Sequence, residues 1–266
     1  MSYRLSILDK TPIPASGSAE EALATTLAYA ELADRLGYHR FWEAEHHGSQ
    51  FLASAAPEVV ISYILAHTRR IRVGSGAVLL QHYSPYKVAE IFSILANLAP
   101  GRVDLGIGRA PGGTPSGTRA LQYELRQDRI PFSQKLVDVD IFLKGAAPEG
   151  HSLAGSAIAP LPKILPECFL LGASEASARL AAELGWGFAY GGHHNGDENA
   201  IKHALAAYGN RRPSPILTVT AFAARTREEA RLKSDFHVYK TYFSDDHSVN
   251  LGSLDAVKEY ARQLGR

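Results

Sequence analysis

Short runs rich in β-branched and aromatic residues alternate along this chain with longer stretches of helical period, the pattern of repeated βα units on a parallel sheet. The class is therefore α/β. Leu5 to Leu8 reads as a first strand, and a helix follows from about Ser18 to Leu36, where Ser18 and Glu21 have the spacing of a capping box and Gly37 supplies the stop. His39 to Glu45 reads as strand two, Pro57 to His67 as a helix opened by proline, Ile71 to Leu79 as strand three, and Pro85 to Leu98 as another proline-opened helix. Strand four spans Arg102 to Ile107. A Gly/Pro-rich loop follows it, then an insertion of helical character between about Arg119 and Leu143.

The scaffold resumes with strand five at Glu167 to Leu171, a helix at Ser174 to Leu184, strand six at Gly187 to Tyr190, a helix at Glu198 to Tyr208 and strand seven at Ile216 to Ala223. Arg227 to Tyr239 and the residues from Ser253 onward also read as helical. Seven strands are visible, one fewer than a closed (β/α)8 barrel requires. An incomplete barrel leaves two strand edges to be covered by a loop, an unusual closure or a second subunit. At 266 residues and 28.8 kDa, the length suits one barrel domain over 1–266, because such barrels run to roughly 250 residues as a unit.

Composition excludes several partners. Lys and Arg number 28 against 27 Asp and Glu, a net charge of +1, and no run of like charges invites nucleic acid or an anionic membrane. The segment from Met1 to Asp9 lacks the apolar stretch of a signal peptide, and no segment approaches the ~20 apolar residues that cross a bilayer. The single cysteine, Cys168, sits in an apolar run and reads as a buried small hydrophobe, and no intrachain disulfide can form. A reducing cytoplasm is the expected location.

In barrels of this kind chemistry sits at the C-terminal ends of the strands. Strand two runs into Glu45-His46-His47, strand four into Gly108-Arg109-Ala110-Pro111-Gly112-Gly113, strand five into Gly172-Ala173-Ser174-Glu175-Ala176-Ser177, and strand six into His193-His194-Asn195. Two His-His pairs raise the question of a metal. Adjacent residues of an extended segment point to opposite faces, so no metal site is expected. His193 and His194 are as well explained as strand-end or solvent-facing residues, whereas His46 suits proton transfer or hydrogen bonding near neutral pH. The glycine-rich loop has neither the Gly-Lys-Ser/Thr of a P-loop nor a Gly-x-Gly-x-x-Gly after strand one. Arg109 beside flexible backbone and a helix start carrying Ser174 and Ser177 could hold a phosphate, or could be a strand-end salt bridge and an ordinary serine cap.

Several stretches together resemble the luciferase-like flavin monooxygenase family, in particular a bacterial subgroup distinct from luciferase proper. They are Leu5-Ser6-Ile7-Leu8-Asp9, Phe41-Trp42-Glu43-Ala44-Glu45-His46-His47, Val73 to Leu80 with Ser84-Pro85, Pro100 to Gly112, and Leu170-Leu171-Gly172-Ala173-Ser174. The resemblance extends along essentially the whole chain, and relatives continue for a further strand and helix past its end. It implies a TIM-type barrel. It also implies that His46 is the active-site histidine beside the flavin, that Gly76-Ala77 is a non-prolyl cis peptide under the isoalloxazine ring, and that Arg109, Ser174 and Ser177 bind the flavin phosphate.

The chemistry implied is that of reduced FMN supplied by a separate flavin reductase. It reacts with O2 to a C4a-peroxyflavin that oxygenates a small organic substrate. The protein's part is to hold the phosphate, exclude water and present the substrate. Asp9 and the Pro111 to Gly117 loop are further candidates for the pocket wall. The same barrel family contains F420-dependent oxidoreductases and non-catalytic flavin-binding proteins, which are the alternatives. A homodimer is expected through the helices carrying Val59, Val60, Ile61, Ile64, Leu65, Val88, Ile91, Phe92 and Leu95. The identity of the substrate is not legible.

Overall fold

The computed structural model describes residues 3–14, 16–123, 130–221, 225–226 and 228–229. The chain forms two compact units, Met1–Leu171 and Gly172–Arg266. Apart from residues 228–229, the helices read at Arg227 to Tyr239 and from Ser253 onward lie outside the described residues.

In the first unit strand β1 (Ser6–Asp9) is followed by helix α1 (Ala19–Leu36), β2 (Arg40–Glu43) by α2 (Pro57–His67), and β3 (Arg72–Ser75) by β4 (Val78–Leu79). A 3-10 turn at Leu80–His82 leads into α3 (Pro85–Leu98), and β5 (Val103–Gly108) into α4 (Pro115–Leu121) and α5 (Phe132–Lys144), with β6 (Glu167–Gly172) last. The strands pair in the order β1-β2-β3-β5-β6 with β4 on β5, and every pairing is parallel. β2 and β5 are buried along their whole length, as expected of strands covered on both faces.

Local chemistry explains the helix bounds. Ser18 Oγ accepts from the Glu21 amide and the Glu21 carboxylate from the Ser18 amide, so the capping box forms, and Gly37 closes the helix in the left-handed region at φ 78°. The inner stripe of α1 is Ala22, Thr26, Ala30 and Ala33, small residues that let the helix lie close on the sheet. Pro57 and Pro85 occupy the first turns of α2 and α3. Ile61, Ile64 and Leu65 of α2 and Val88, Phe92 and Leu95 of α3 are core residues, so most of the apolar face expected to serve a dimer is packed within this chain. What remains exposed on these helices is Val59, Tyr63, Ile94 and Leu98.

Two sequence expectations need correction here. The single strand read at Ile71 to Leu79 is two, β3 and β4, interrupted at Gly76-Ala77, whose peptide bond is cis. The helical insertion is likewise two helices, because Thr114 caps α4 at Pro115–Leu121 and Pro131 precedes α5 at Phe132–Lys144.

In the second unit α6 (Glu175–Leu184), β7 (Gly187–Gly191), α7 (Glu198–Tyr208) and β8 (Ile216–Thr218) follow in order, and β7 pairs with β8 in parallel. β8 covers only the first three residues of the strand read at Ile216 to Ala223. α6 and α7 pack against one another, and their buried residues are Ala178, Ala181 and Ala182 on α6 and Ile201, Ala204 and Tyr208 on α7. Gly185, left-handed at φ 71°, ends α6.

Candidate active site at the strand ends

The carboxyl ends of β2, β4 and β5 converge. The amide of Gly76 donates to the Glu43 carbonyl at 2.7 Å, the amide of His47 donates to the Gly112 carbonyl at 2.6 Å, and a Cβ on Gly108 would stand 3.1 Å from that of Ala77. His46, Gly76, Ala77 and Arg109 are therefore carried by three adjoining segments of the first unit. His46 is half-buried, and its amide donates to the Ser54 carbonyl at 3.0 Å. Gly76 is only half-buried although Ser75 and Ala77 on either side are buried, so backbone is accessible there. Arg109 is exposed, its guanidinium lies 5.9 Å from the centroid of the Phe132 ring, and it forms no salt bridge among the described residues.

Behind His46 stands a polar network that the sequence reading did not find. Glu45 is buried. Its Oε1 receives hydrogen bonds from His47 Nε2 at 2.6 Å and Tyr83 Oη at 2.8 Å, and its Oε2 receives the Leu79 amide at 3.0 Å. Burial, reinforced by the Glu45 charge, pushes the Tyr83 hydroxyl up, so it remains a phenol that donates. His82 lies edge-on to His47 and Tyr83. Gln122 donates to its Nδ1 at 3.0 Å, which leaves the proton on Nε2 facing the Pro111 carbonyl at 3.2 Å. Burial lowers the His82 pKa, which favours the neutral ring.

Lys135 closes the arrangement by donating to the carbonyls of Leu80, Gln81 and Tyr83 at 3.2, 3.4 and 2.9 Å. The position of His82-Tyr83, between the end of a strand and a proline-opened helix, was the available signal. Strand-end polar residues are the first to examine in such a fold.

The glycine-rich loop after β5 is tied to this network. Gly112 is left-handed at φ 63°, and a Cβ on Gly113 would stand 2.1 Å from the His47 carbonyl oxygen, a separation that only glycine permits. The end of the loop, Pro115 to Gly117, is the first turn of α4. Asp9, considered for the pocket wall, has its side chain bonded to Thr26 on α1.

Ser174 and Ser177 belong to the second unit. Ser174 caps α6 by accepting from the Ser177 amide at 3.2 Å, and the two hydroxyls lie 3.1 Å apart. The α6 amino terminus thus presents hydroxyls together with free backbone N–H groups. His193 and His194 were expected to point apart. Their rings instead lie against one another, tilted by 44° with centroids 4.0 Å apart, because residues 192–194 form a turn rather than extended chain, and His193 Nδ1 is engaged with Thr218 Oγ1 at 2.8 Å. Burial pushes the Cys168 thiol up, which favours the un-ionised thiol.

The residues of the first unit fit a flavin, with accessible glycine backbone at one strand end, a half-buried histidine at another, and an arginine with no carboxylate partner among the described residues; in the second unit the serine-carrying start of α6, taken by itself, suits a phosphate. The chain is 42% identical to the N-acetyl-S-alkylcysteine monooxygenase of Bacillus subtilis (strain 168), over 98% of this chain and 80% of that protein. The crystal structure of apo-MsnO8 superposes with a TM-score of 0.78 at 35% identity, covering 97% of this chain and 78% of that one.

The oxygenating constituent of 3,6-diketocamphane monooxygenase from Pseudomonas putida, solved in complex with FMN, shares the fold with a TM-score of 0.71 at 19% identity over 99% of this chain and 88% of that one. These structures place the chain in the TIM-type (β/α) barrel class. The family model described as luciferase-like monooxygenase matches residues 3–264. The chain belongs to the luciferase-like monooxygenase family.

Proposed function

We propose that this protein is an FMN-dependent monooxygenase acting on a small organic substrate, a single barrel domain over residues 1–266 that receives reduced flavin from a separate reductase and works as a homodimer. The observation that carries the reading is the convergence of His46, Gly76-Ala77 and Arg109 on adjoining strand ends. Reduced FMN, when bound, supplies the electrons that activate O2. Arg109 offers a guanidinium fork, and the α6 amino terminus with Ser174 and Ser177 offers hydroxyls and N–H groups. Each is suited to phosphate oxygens. Gly76 and Ala77 present backbone against which a flat ring can lie closely. His46, half-buried at the end of β2, holds or moves a proton at its imidazole, and the network of Glu45, His47 and Tyr83 fixes the chain beside it.

The test is an anaerobic titration with reduced FMN, followed by turnover under 18O2 with a panel of small thioethers that begins with S-alkylated N-acetylcysteines, the compounds named for the Bacillus relative. Label appearing in product establishes the reading. His46→Ala should keep flavin affinity and lose product. Arg109→Ala should weaken flavin binding by roughly 10- to 100-fold, the value of one charge-assisted hydrogen-bond pair. Binding of F420 in place of reduced FMN would move the assignment to an F420-dependent oxidoreductase. Flavin binding with no labelled product from any member of the panel would point to a non-catalytic flavin protein.

A further inference from the structure

A second buried polar system lies where β1 and β2 end. Asp9 and Glu43 are register partners at the last positions of these strands. Glu43 is fully buried. Its Oε1 is 2.7 Å from Thr11 Oγ1, which is 3.1 Å from Thr26 Oγ1, which is 2.6 Å from Asp9 Oδ2. Asp9 Oδ1 accepts the amides of Lys10 and Thr11 at 2.8 and 3.3 Å. Two carboxylates are thus joined through two hydroxyls.

Counting protons decides the charge state. Each threonine hydroxyl carries one proton. With both carboxylates ionised, Thr11 would turn its proton to Glu43 and Thr26 its proton to Asp9, leaving two oxygens 3.1 Å apart with none between them. Glu43 Oε2, buried and without a hydrogen-bond partner among the described residues, would share a charge in an apolar setting. With a proton on Glu43, every contact is satisfied in one direction: Glu43 donates to Thr11, Thr11 to Thr26, and Thr26 to an ionised Asp9 that already receives two amides. The groups facing Glu43 are Asp9 of β1, Thr11 of the following loop, Thr26 of α1 and its β3 register partner Ser75, whose hydroxyl is taken by the Gly106 carbonyl. None of these is a cation. Burial, then the Asp9 charge, push the Glu43 carboxyl up to about 9, with the Thr11 hydrogen bond opposing them.

The chain of hydroxyls also reaches the His46 segment. Thr11 is fully buried and held at φ 45°, a left-handed conformation that a β-branched residue adopts only under constraint. Its carbonyl accepts the Ala53 amide at 2.9 Å, and the neighbouring Ser54 carbonyl accepts the His46 amide at 3.0 Å. We propose that Glu43 is a positioning residue kept as the neutral acid, whose proton completes the chain through Thr11 and Thr26 to Asp9 and so fixes the 51–54 segment from which the His46 backbone is held. The inference rests on the placement of His46 in the active site. Its tests below do not depend on turnover.

Three proteins are compared, the wild type, Glu43→Gln and Thr11→Val, by thermal midpoint between pH 5 and pH 10, by infrared detection of a protonated carboxyl carbonyl, and by the His46 ring resonances. The unfolded chain releases the Glu43 proton near the ordinary 4.5 and the folded chain near 9, so the wild-type midpoint should fall as pH rises through that window. Glu43→Gln, a neutral isostere that can still donate to Thr11, should flatten this fall and lose the protonated-carboxyl band. In the wild type the His46 resonances should move as pH passes about 9. They should not do so in Glu43→Gln. Thr11→Val should keep the pH-dependent midpoint, because Glu43 stays buried, yet lose the alkaline response at His46.

Parallel midpoint profiles for wild type and Glu43→Gln, or an infrared band that survives the substitution, would overturn the protonated state. An alkaline His46 response that persists in Thr11→Val would overturn the route. These outcomes are separable from the monooxygenase assignment, which stands or falls on labelled product.

Discussion

His47 Nε2 and Glu45 Oε1 stand 2.6 Å apart with the carboxylate buried, and the same oxygen receives the Tyr83 hydroxyl at 2.8 Å. The pair brackets His46 in the chain, so whatever holds Glu45 and His47 also limits how His46 can move. Replacement by Glu45→Ala would strand the Tyr83 hydroxyl and the Leu79 amide in a buried site. The expected cost is about 2–5 kcal/mol, within the range for removing one partner of a buried charged network. Urea denaturation checks it, and a change below about 1 kcal/mol would mean that the network is solvated in solution.

A third buried network joins the amino ends of the strands, the end of such a fold that serves stability rather than chemistry. Asp104 accepts from Arg40, from Trp42 Nε1 at 2.9 Å and from Arg72 at 2.6 Å, and Glu167 binds Arg40 at 2.8 Å. Burial alone would raise the Glu167 pKa, but the hydrogen bond and charge of Arg40, with Arg72, carry it below the usual carboxylate value. A depressed folded pKa means stability that is present above the unfolded value of 4.5 and is lost as pH falls through the folded one. The midpoints of wild type and Glu167→Gln should therefore differ near neutrality and converge in acid. A gap that stays constant down to acid pH would show that the carboxylate charge plays no part.

The fold was legible wherever the local signal agreed with the packing. α2, α3 and α7 have the bounds read from the sequence, since proline opens the first two and Gly209 follows the third. β3 and β4 read as one strand because apolar residues continue across Gly76-Ala77, and periodicity does not register a local change of backbone direction. For the candidate site, His46, Gly76-Ala77 and Arg109 could be named because they stand at strand ends.

The partners of Glu45 could not be named, since Tyr83 lies 38 residues away and its role depends on the convergence of β2 with the turn after β4. The bonding of Asp9 was not legible for a related reason. Position along a strand shows where it ends but not to which layer its last side chain turns, and this one turns to Thr26 of α1. The histidines at 193 and 194 were read with the geometry of a strand in a segment that is a turn.

Gly113→Ala tests whether the glycine-rich loop is clamped on His47. The added methyl carbon would stand 2.1 Å from a backbone carbonyl oxygen, which cannot rotate away, whereas in Gly117→Ala the nearest atom is the Thr114 hydroxyl at 3.3 Å. Overpacking of a closed contact costs typically ~1–3 kcal/mol. The first variant should therefore lose stability and product formation together. The second should remain close to wild type in both. Equal behaviour of the two variants in thermal unfolding and turnover would show that the loop is not held against His47 in solution.

Ser174→Ala separates a structural cap from a binding role. Ser174 caps α6 and Asp197 caps α7 in the same manner, each side chain accepting from the amide three residues on. Replacing either by alanine should cost about 1 kcal/mol in stability, the usual value of an N-cap. Only the α6 cap belongs to the proposed phosphate-binding set, so only Ser174→Ala should also weaken reduced-FMN binding, by several-fold. Ser177→Ala should weaken it too, and with little stability cost, because the Ser177 backbone amide still donates to Ser174. Flavin titrations of the three variants alongside urea denaturation give both readouts. If Ser174→Ala and Asp197→Ala lose stability alike and bind flavin alike, Ser174 is a cap and the phosphate is held elsewhere.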